Sequence, residues 1–169
     1  MQGAVIMAEK KYIIDNADLM QEWDWEQNSR HNIDPYGKTS GMNIGVWWIC
    51  KNRHSWEDTI NHRSAGRNCP YCSNHRLLVG FNDLASKTPL LASEWHPTKN
   101  NALTPQNVFA NSNKKVWWKC SQGHEWQSAI ANRTRGNGCP YCSGQKVLMG
   151  YNDLQTVNPV LAKEWNYEK

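Results

Sequence analysis

Long apolar runs are missing from this 169-residue sequence, and phenylalanine is nearly absent, with two residues against ten tryptophans. A transmembrane helix needs roughly 18–20 consecutive apolar residues. No stretch approaches that length, so we expect no membrane partner. Residues Met1–Ala8 contain neither a basic leader nor a long apolar core, which argues against a secretory signal. Together these absences predict a cytoplasmic protein.

A disulfide framework is also unexpected, because a chain without an export signal stays in a reducing compartment. Six cysteines are nevertheless present. In a reducing compartment, cysteines usually serve metal binding or redox chemistry. Their spacing distinguishes the two.

The sequence contains an internal duplication. When it is shifted by 70 residues, segment 35–95 aligns with 105–165 without a gap, and 26 of the 61 aligned positions are identical. Self-similarity at a fixed offset is the signature of a structural repeat. A shorter motif, Leu-x-x-Glu-Trp, opens the unit and occurs three times, at Leu19–Trp23, Leu91–Trp95 and Leu161–Trp165.

Each copy of the repeat has a Cys-x₃-His pair, then fourteen residues, then Cys-x₂-Cys. Two short turns that contribute two ligands each can converge on one tetrahedral Zn²⁺ ion. The sequence therefore predicts two zinc ions per chain, bound by Cys50, His54, Cys69 and Cys72 in the first copy and by Cys120, His124, Cys139 and Cys142 in the second.

Other interpretations of these cysteines are weaker. If the cysteines were free and buried beside a core histidine, nothing would explain why four potential metal ligands lie so close together. A redox Cys-x₂-Cys pair would need neither the histidine nor the third cysteine. His75, three residues after Cys72, is a remote alternative ligand. Four protein ligands close the coordination sphere, so the zinc should be structural. Because the sequence also lacks a paired acidic motif beside a lysine, we expect no enzyme and no small-molecule substrate.

Periodicity and turn residues predict a small, metal-stabilised α+β fold: two tandem zinc-ribbon or treble-clef-like modules, each a zinc-knuckled β-hairpin with a short helix. The predicted hairpins pair 46–49 with 56–60 and 116–119 with 126–130. A capping side chain before a proline, at Thr88-Pro89 and Asn158-Pro159, predicts helices over 89–95 and 159–165. Another helix should precede the first copy, with Leu19 and Trp23 packing as Leu91 and Trp95 do.

These elements predict five segments along the chain. They are an N-terminal segment with a partial repeat helix (1–33), zinc module 1 (34–84), a connector helix and loop (85–104), zinc module 2 (105–154), and the start of a truncated third repeat or a cap (155–169).

The tryptophans should form much of the core, because units this small bury little aliphatic surface. In Trp47-Trp48 and Trp117-Trp118, however, strand alternation sends neighbouring side chains to opposite faces. One tryptophan of each pair is therefore a candidate contact residue.

The pattern Trp-x-Cys-x₃-His-x-Trp, Ile-x₂-Arg, Gly-x₂-Cys-Pro-Tyr-Cys occurs twice, at Trp48–Cys72 and Trp118–Cys142. It resembles the tandem "probable zinc-ribbon" or treble-clef repeats of bacteria and viruses, over about residues 18–169. Leu91–Asn100 is similar to the unit start of that family, whereas the first copy departs from it with Trp25 where Pro97 stands. Such repeats are commonly linked to very-short-patch-repair-like or homing nucleases. The resemblance thus implies nucleic-acid binding, with the chain targeting a larger nuclease or complex.

Positive charge is concentrated in the two modules. The formal net charge of +4 falls to about +2 when each zinc site contributes −1. Residues 47–80 nevertheless carry five Lys and Arg against two acids, and residues 114–150 carry six against one, which gives +3 and +5.

The leading functional hypothesis is a nucleic-acid-binding module that prefers DNA over RNA. Basic residues near the zinc ligands would contact phosphates: Lys51, Arg53, Arg63, Arg67 and Arg76 in the first copy, and Lys114, Lys115, Lys119, Arg133, Arg135 and Lys146 in the second. Trp48 and Trp118, or Tyr71 and Tyr141, would stack on unpaired bases. For the shared arginines, Arg63 and Arg133, the alternative is a structural hydrogen bond to loop carbonyls near the zinc.

The alternative function is a protein–protein interaction adaptor or a subunit of a larger assembly. Closed zinc modules present rigid surfaces, and the small net charge does not require a polyanionic partner.

Overall fold

In the computed structural model, which describes residues 10–165, both tryptophan pairs lie on the first strand of an antiparallel hairpin. The strands are β1 (Gly45–Ile49) with β2 (Ser55–Thr59), and β3 (Lys115–Lys119) with β4 (Glu125–Ala129). The two predicted hairpins are thereby confirmed. The stretch Met1–Ala8 and residues 166–169 of the predicted third repeat lie outside the described residues.

The chain divides into two compact units between Arg76 and Leu77, which we call unit 1 and unit 2. Each unit contains one hairpin and one group of four zinc ligands. The small α+β architecture with two tandem zinc modules is therefore confirmed.

A short helix follows each hairpin directly: α3 (Ile60–Ser64) after β2 and α6 (Ile130–Thr134) after β4. The sequence predicted that the return strands would continue through Ile60 and Ile130. The chain turns into a helix there instead, because a helix brings positions three apart onto one face. In unit 1 this turn buries both Ile60 and Arg63 against the hairpin.

Other short helices flank the hairpins. In chain order they are a 3₁₀ turn (Ile13–Asp15), α1 (Ala17–Gln21), α2 (Trp25–Arg30), α4 (Leu84–Lys87), α5 (Pro89–Ala92), α7 (Leu154–Val157) and α8 (Pro159–Ala162). Helix α1 is the helix predicted before the first copy. Helices α4 and α7 were not predicted, although Asp83 and Asp153 cap them by accepting from Ser86 N and Thr156 N.

The helices predicted over 89–95 and 159–165 end early, at Ala92 and Ala162. For the first of these helices, the reason is that Trp95 leaves the helix to form an isolated β-bridge with Trp118. The expected caps also differ. Asn158 accepts from Leu161 N, as predicted, but the Thr88 hydroxyl donates to the Leu84 carbonyl instead.

The opening motif of each unit covers the free edge of the hairpin. In unit 2, Lys119 N donates to Glu94 O at 2.7 Å, and His96 N donates to Trp117 O at 3.1 Å. The side-chain amide of Asn100 completes the edge, because it accepts from Trp117 N at 2.7 Å and donates to Trp117 O at 2.9 Å.

Unit 1 repeats this arrangement. Asn28 accepts from Trp47 N at 2.8 Å and donates to Trp47 O at 2.7 Å, while Ile49 N donates to Glu22 O. Asn28 is fully buried. In both units a side-chain amide therefore takes the place of a third strand.

Tryptophans form the centre of each core, as predicted. Trp23 meets Trp48 edge to face in unit 1, with ring centroids 5.5 Å apart, and Trp95 meets Trp118 in the same way at 5.4 Å in unit 2. Trp56 and Trp126 lie opposite these strand residues on β2 and β4. Leu19 and Trp23 are more deeply buried than Leu91 and Trp95, but each pair packs on its own hairpin core.

Candidate metal centres

The first ligand group forms where two turns of unit 1 meet. The turn between β1 and β2 carries Cys50 and His54, and the Cys-Pro-Tyr-Cys turn after α3 carries Cys69 and Cys72. The Nδ1 atom of His54 lies 3.5, 3.7 and 3.3 Å from the Sγ atoms of Cys50, Cys69 and Cys72, respectively. Cys50 Sγ and Cys72 Sγ are 3.8 Å apart.

The second group repeats this geometry in unit 2. His124 Nδ1 lies 3.5, 3.6 and 3.2 Å from the Sγ atoms of Cys120, Cys139 and Cys142, and Cys120 Sγ is 3.9 Å from Cys142 Sγ. In both groups all four ligand atoms lie within 4.8 Å of one another.

These spacings fit a tetrahedral zinc ion. Zn–S and Zn–N bonds of about 2.3 and 2.0 Å place two sulfur atoms about 3.8 Å apart, and a sulfur and a nitrogen about 3.5 Å apart. The observed distances agree with both values. Each unit thus binds one structural zinc ion, and the four protein ligands leave no open coordination position.

Local backbone geometry holds the ligands in place. In unit 1, Cys50 N donates to His54 O and Arg53 N donates to Cys50 O, which closes the turn. Arg53 has a φ of 64°, and the same position in unit 2 is Gly123 with a φ of 82°. Glycine adopts this left-handed conformation without steric cost, whereas in arginine the Cβ atom makes it unfavourable.

Burial, a hydrogen bond and an aromatic ring surround the ligand atoms. Burial raises the pKa of the Cys69 thiol to about 11, so a zinc ion must displace its proton on binding. Asn52 Nδ2 donates to Cys72 Sγ at 3.3 Å in unit 1, and the ring of Tyr151 lies 4.2 Å from that of His124 in unit 2. His75, the remote alternative ligand, lies outside the group and contacts Ser73 Oγ at 2.9 Å.

The two shared arginines are structural, and their prediction as phosphate contacts needs correction. Arg63 is buried, lies over the rings of Trp48 and Trp56, and donates to the Arg67 carbonyl and the Glu22 carboxylate. Its guanidinium is therefore unavailable to a phosphate.

Arg133 has the same role in unit 2. It lies over Trp118 and Trp126 and donates to the Asn137 carbonyl and the Glu94 carboxylate. The alternative interpretation, hydrogen bonding to loop carbonyls near the zinc, describes both arginines.

Trp48 and Trp118 are also removed from the candidate interface, because both are fully buried. Their indole Nε1 atoms donate to the carbonyls of Asp58 and Ser128, respectively. The outward residues of the two pairs are Trp47 and Trp117, which are half-buried.

The remaining predicted basic residues are exposed. They are Lys51, Arg53, Arg67 and Arg76 in unit 1, and Lys114, Lys115, Lys119, Arg135 and Lys146 in unit 2. Two of them lie near acids: Arg67 Nη1 is 4.0 Å from Asp58 Oδ1, and Lys119 Nζ is 3.8 Å from Glu125 Oε1. Tyr71 and Tyr141, the other predicted stacking residues, are half-buried beside the zinc-ligating histidines.

Sequence reasoning missed two pairs of supporting residues, Glu22 with Glu94 and Asn28 with Asn100. The signal was present, because each glutamate belongs to Leu-x-x-Glu-Trp and each asparagine lies five residues after the tryptophan of that motif. Within the part of the chain that the structure describes, no helix has the length and apolarity to cross a membrane.

Comparison with known proteins connects these features to a family. The family model described as "Probable Treble clef zinc finger domain" matches the chain twice, over residues 19–75 and 91–145. Each match contains one complete set of ligands, and together the matches cover more than half of the chain.

Two curated proteins are similar over 97 residues. One is the "Putative endonuclease" of Escherichia phage T5, which is 28% identical over 56% of this chain and 30% of its own length. The other is the SPbeta prophage-derived uncharacterized protein YomD of Bacillus subtilis (strain 168), which is 26% identical over 57% of this chain and 33% of its own length. The similar region is thus about a third of each relative.

Proposed function

The chain belongs to the probable treble clef zinc finger family, and we propose that it binds nucleic acid, DNA in preference to RNA, through cations beside its two zinc ions. The observation that carries the proposal is the exposure of basic side chains on segments that the zinc ligands hold in place. Fixed cations match the phosphates of a nucleic acid without requiring a particular base sequence.

The two units place these cations differently. In unit 1, Lys51 and Arg53 lie on the turn between the first two ligands, and Arg76 follows the second ligand pair. In unit 2 that turn is uncharged, and the lysines lie before and along β3, at Lys114, Lys115 and Lys119.

The named relative supports the proposal at a coarser level. The "Putative endonuclease" shares only the region that resembles this chain, about a third of its length. We propose that this region supplies binding and directs a larger nuclease or complex, with no catalytic step of its own. The preference for DNA rests on the resemblance to repeats linked to repair and homing nucleases.

Protein–protein interaction is the second candidate, and exposed apolar side chains at the end of unit 2 favour it. Val157, Val160, Leu161 and Trp165 are all exposed. Such side chains, when they are contiguous, mark protein interaction sites.

The test measures binding to a fluorescent duplex DNA by anisotropy, at several salt concentrations. Replacing Lys114, Lys115 and Lys119 together with glutamine should weaken binding more than replacing Lys51 and Arg53 together. It should also flatten the slope of log affinity against log salt by about 0.9 for each phosphate that the variant no longer neutralises. Lys163→Gln, an exposed lysine next to α8, is the control and should change neither quantity.

Zinc content and thermal stability should stay unchanged in all three variants, because the replaced side chains are exposed. If both multiple variants bind as the unmodified chain does, or if that chain binds neither duplex nor single strands at low salt, the nucleic-acid proposal fails. Protein–protein interaction then takes its place.

A further inference from the structure

The outer face of the unit 2 hairpin combines an aromatic ring with positive charge. Strand alternation buries Val116 and Trp118 and turns Lys115, Trp117 and Lys119 outward. This arrangement places one indole between two lysines of the same strand.

A third lysine lies over the indole. Lys99 Nζ is 4.6 Å from the centroid of the Trp117 ring, and the ammonium group also pairs with Glu125 on β4. Three lysines against one glutamate leave the face with a charge of +2.

The backbone of Trp117 is held in place by the side chain of Asn100. Asn100 binds both the N–H and the carbonyl of Trp117, so the strand cannot shift at this position without breaking two hydrogen bonds. By contrast, the Lys99 side chain is 43% exposed and can leave the ring without disturbing the core.

In unit 1 the tryptophan equivalent to Trp117 is Trp47, and another ring stacks on it. There the imidazole of His31 stacks on Trp47 with ring centroids 5.9 Å apart and ring planes only 8° from parallel. A flat, nitrogen-containing ring is thus already stacked on the outer tryptophan of unit 1, Trp47. The lysines of unit 2 are replaced there: Gly45 stands for Lys115, Ile49 for Lys119 and Gln27 for Lys99.

We infer that the Trp117 face of unit 2 binds single-stranded DNA, with one unpaired base stacked on the indole and the three lysines on the adjoining phosphates. The inference rests on the proposed function, and it assigns single strands to a particular face of a particular unit. In unit 1, His31 already stacks on the equivalent tryptophan, Trp47.

On the Trp117 face, stacking of a base on the indole and attraction of phosphates by the lysines act together. Every base has a π-face, so stacking on an aromatic side chain tolerates any sequence. When a base displaces Lys99 from the ring, the ammonium stays beside the site and can bind a phosphate. A duplex cannot use the indole in this way, because its bases are already stacked on one another.

The test uses the full chain with zinc and two fluorescent probes, an oligothymidylate of about 15 nucleotides and a duplex. Trp117→Leu should weaken binding to the single strand about tenfold and leave binding to the duplex unchanged. Trp117→Phe keeps an aromatic face and should retain most of the affinity. Trp47→Leu is the matched control in unit 1 and should leave the affinity for both probes unchanged.

Unaltered single-strand binding by Trp117→Leu would overturn the inference. An equal loss for both probes in that variant would do so as well, because it indicates a disturbed fold; zinc content is measured to detect it. These results leave the proposed function in place as long as the unmodified chain binds the duplex. If the unmodified chain binds neither probe, the proposed function fails together with this inference.

Discussion

At the scale of single residues, the shared arginine joins three parts of each unit. Arg133 lies between two core tryptophans and connects the opening motif, through Glu94, to the loop before the Cys-Pro-Tyr-Cys turn, through the Asn137 carbonyl. A buried charge is strongly unfavourable without a partner. The glutamate of Leu-x-x-Glu-Trp is thus the partner that makes the buried arginine tolerable.

This pairing predicts that Glu94→Gln destabilises unit 2 by about 1–3 kcal/mol, the cost of leaving a buried polar group partly unsatisfied. The Glu94 side chain is itself 36% exposed, so the value lies below that of a fully buried pair. Urea denaturation with zinc present would measure the change in stability, and hydrogen exchange would locate it in unit 2.

The third copy of the motif supplies the control. Glu164 has the same sequence context but is exposed. Glu164→Gln should therefore leave stability unchanged. An equal effect of the two substitutions would show that the arginine pairing does not stabilise the unit.

At the scale of elements, the hairpins depend on how their first strand is covered. An isolated two-stranded hairpin is marginally stable in water, and an open strand edge invites pairing with other chains. The opening segment hydrogen-bonds to Lys119, at the end of β3, and to Trp117 in the middle of the strand, where Asn100 adds two more hydrogen bonds. The side chain of Asn100 thus forms the hydrogen bonds that a neighbouring strand would otherwise form with Trp117.

We predict that Asn100→Ala lowers the stability of unit 2 by about 1–3 kcal/mol, because Trp117 loses both of its side-chain partners. The amide proton of Trp117 should then exchange faster with solvent, which NMR would detect. Asn113→Ala, at an exposed position in the loop before β3, should leave both quantities unchanged. Slow exchange at Trp117 in the Asn100 variant would contradict the proposed role.

At the scale of the whole molecule, each unit contains its own core and its own zinc site. Structural zinc contributes on the order of 10 kcal/mol to the folding of small modules. Each unit should therefore depend on its own ion.

Replacing one ligand in each unit tests this independence. Cys69→Ser and Cys139→Ser should each reduce the zinc content from two ions to one, and only the unit that carries the change should unfold. Metal analysis and NMR of the remaining unit would measure the outcome. Loss of both ions from either single variant would contradict independent binding.

Residue spacing was sufficient to predict the repeat, the zinc ligands and the hairpins. These features depend on residues close together in the chain, such as the three-residue gap between Cys50 and His54 and the alternation in 46–49. Ligand chemistry and strand geometry act over a few residues, so a local pattern identifies them.

The roles of the arginines and tryptophans, in contrast, follow from the folded arrangement. Arg63 is paired with Glu22, 41 residues earlier, and Arg133 with Glu94, 39 residues earlier. No local pattern distinguishes an arginine that reaches such a partner from one that faces solvent. Likewise, alternation showed that the tryptophans of each pair face opposite ways, but the inward one was identified only by the packing of Trp23 and Trp95 on β1 and β3. Burial depends on which segments meet in space, and the folded chain alone determines that.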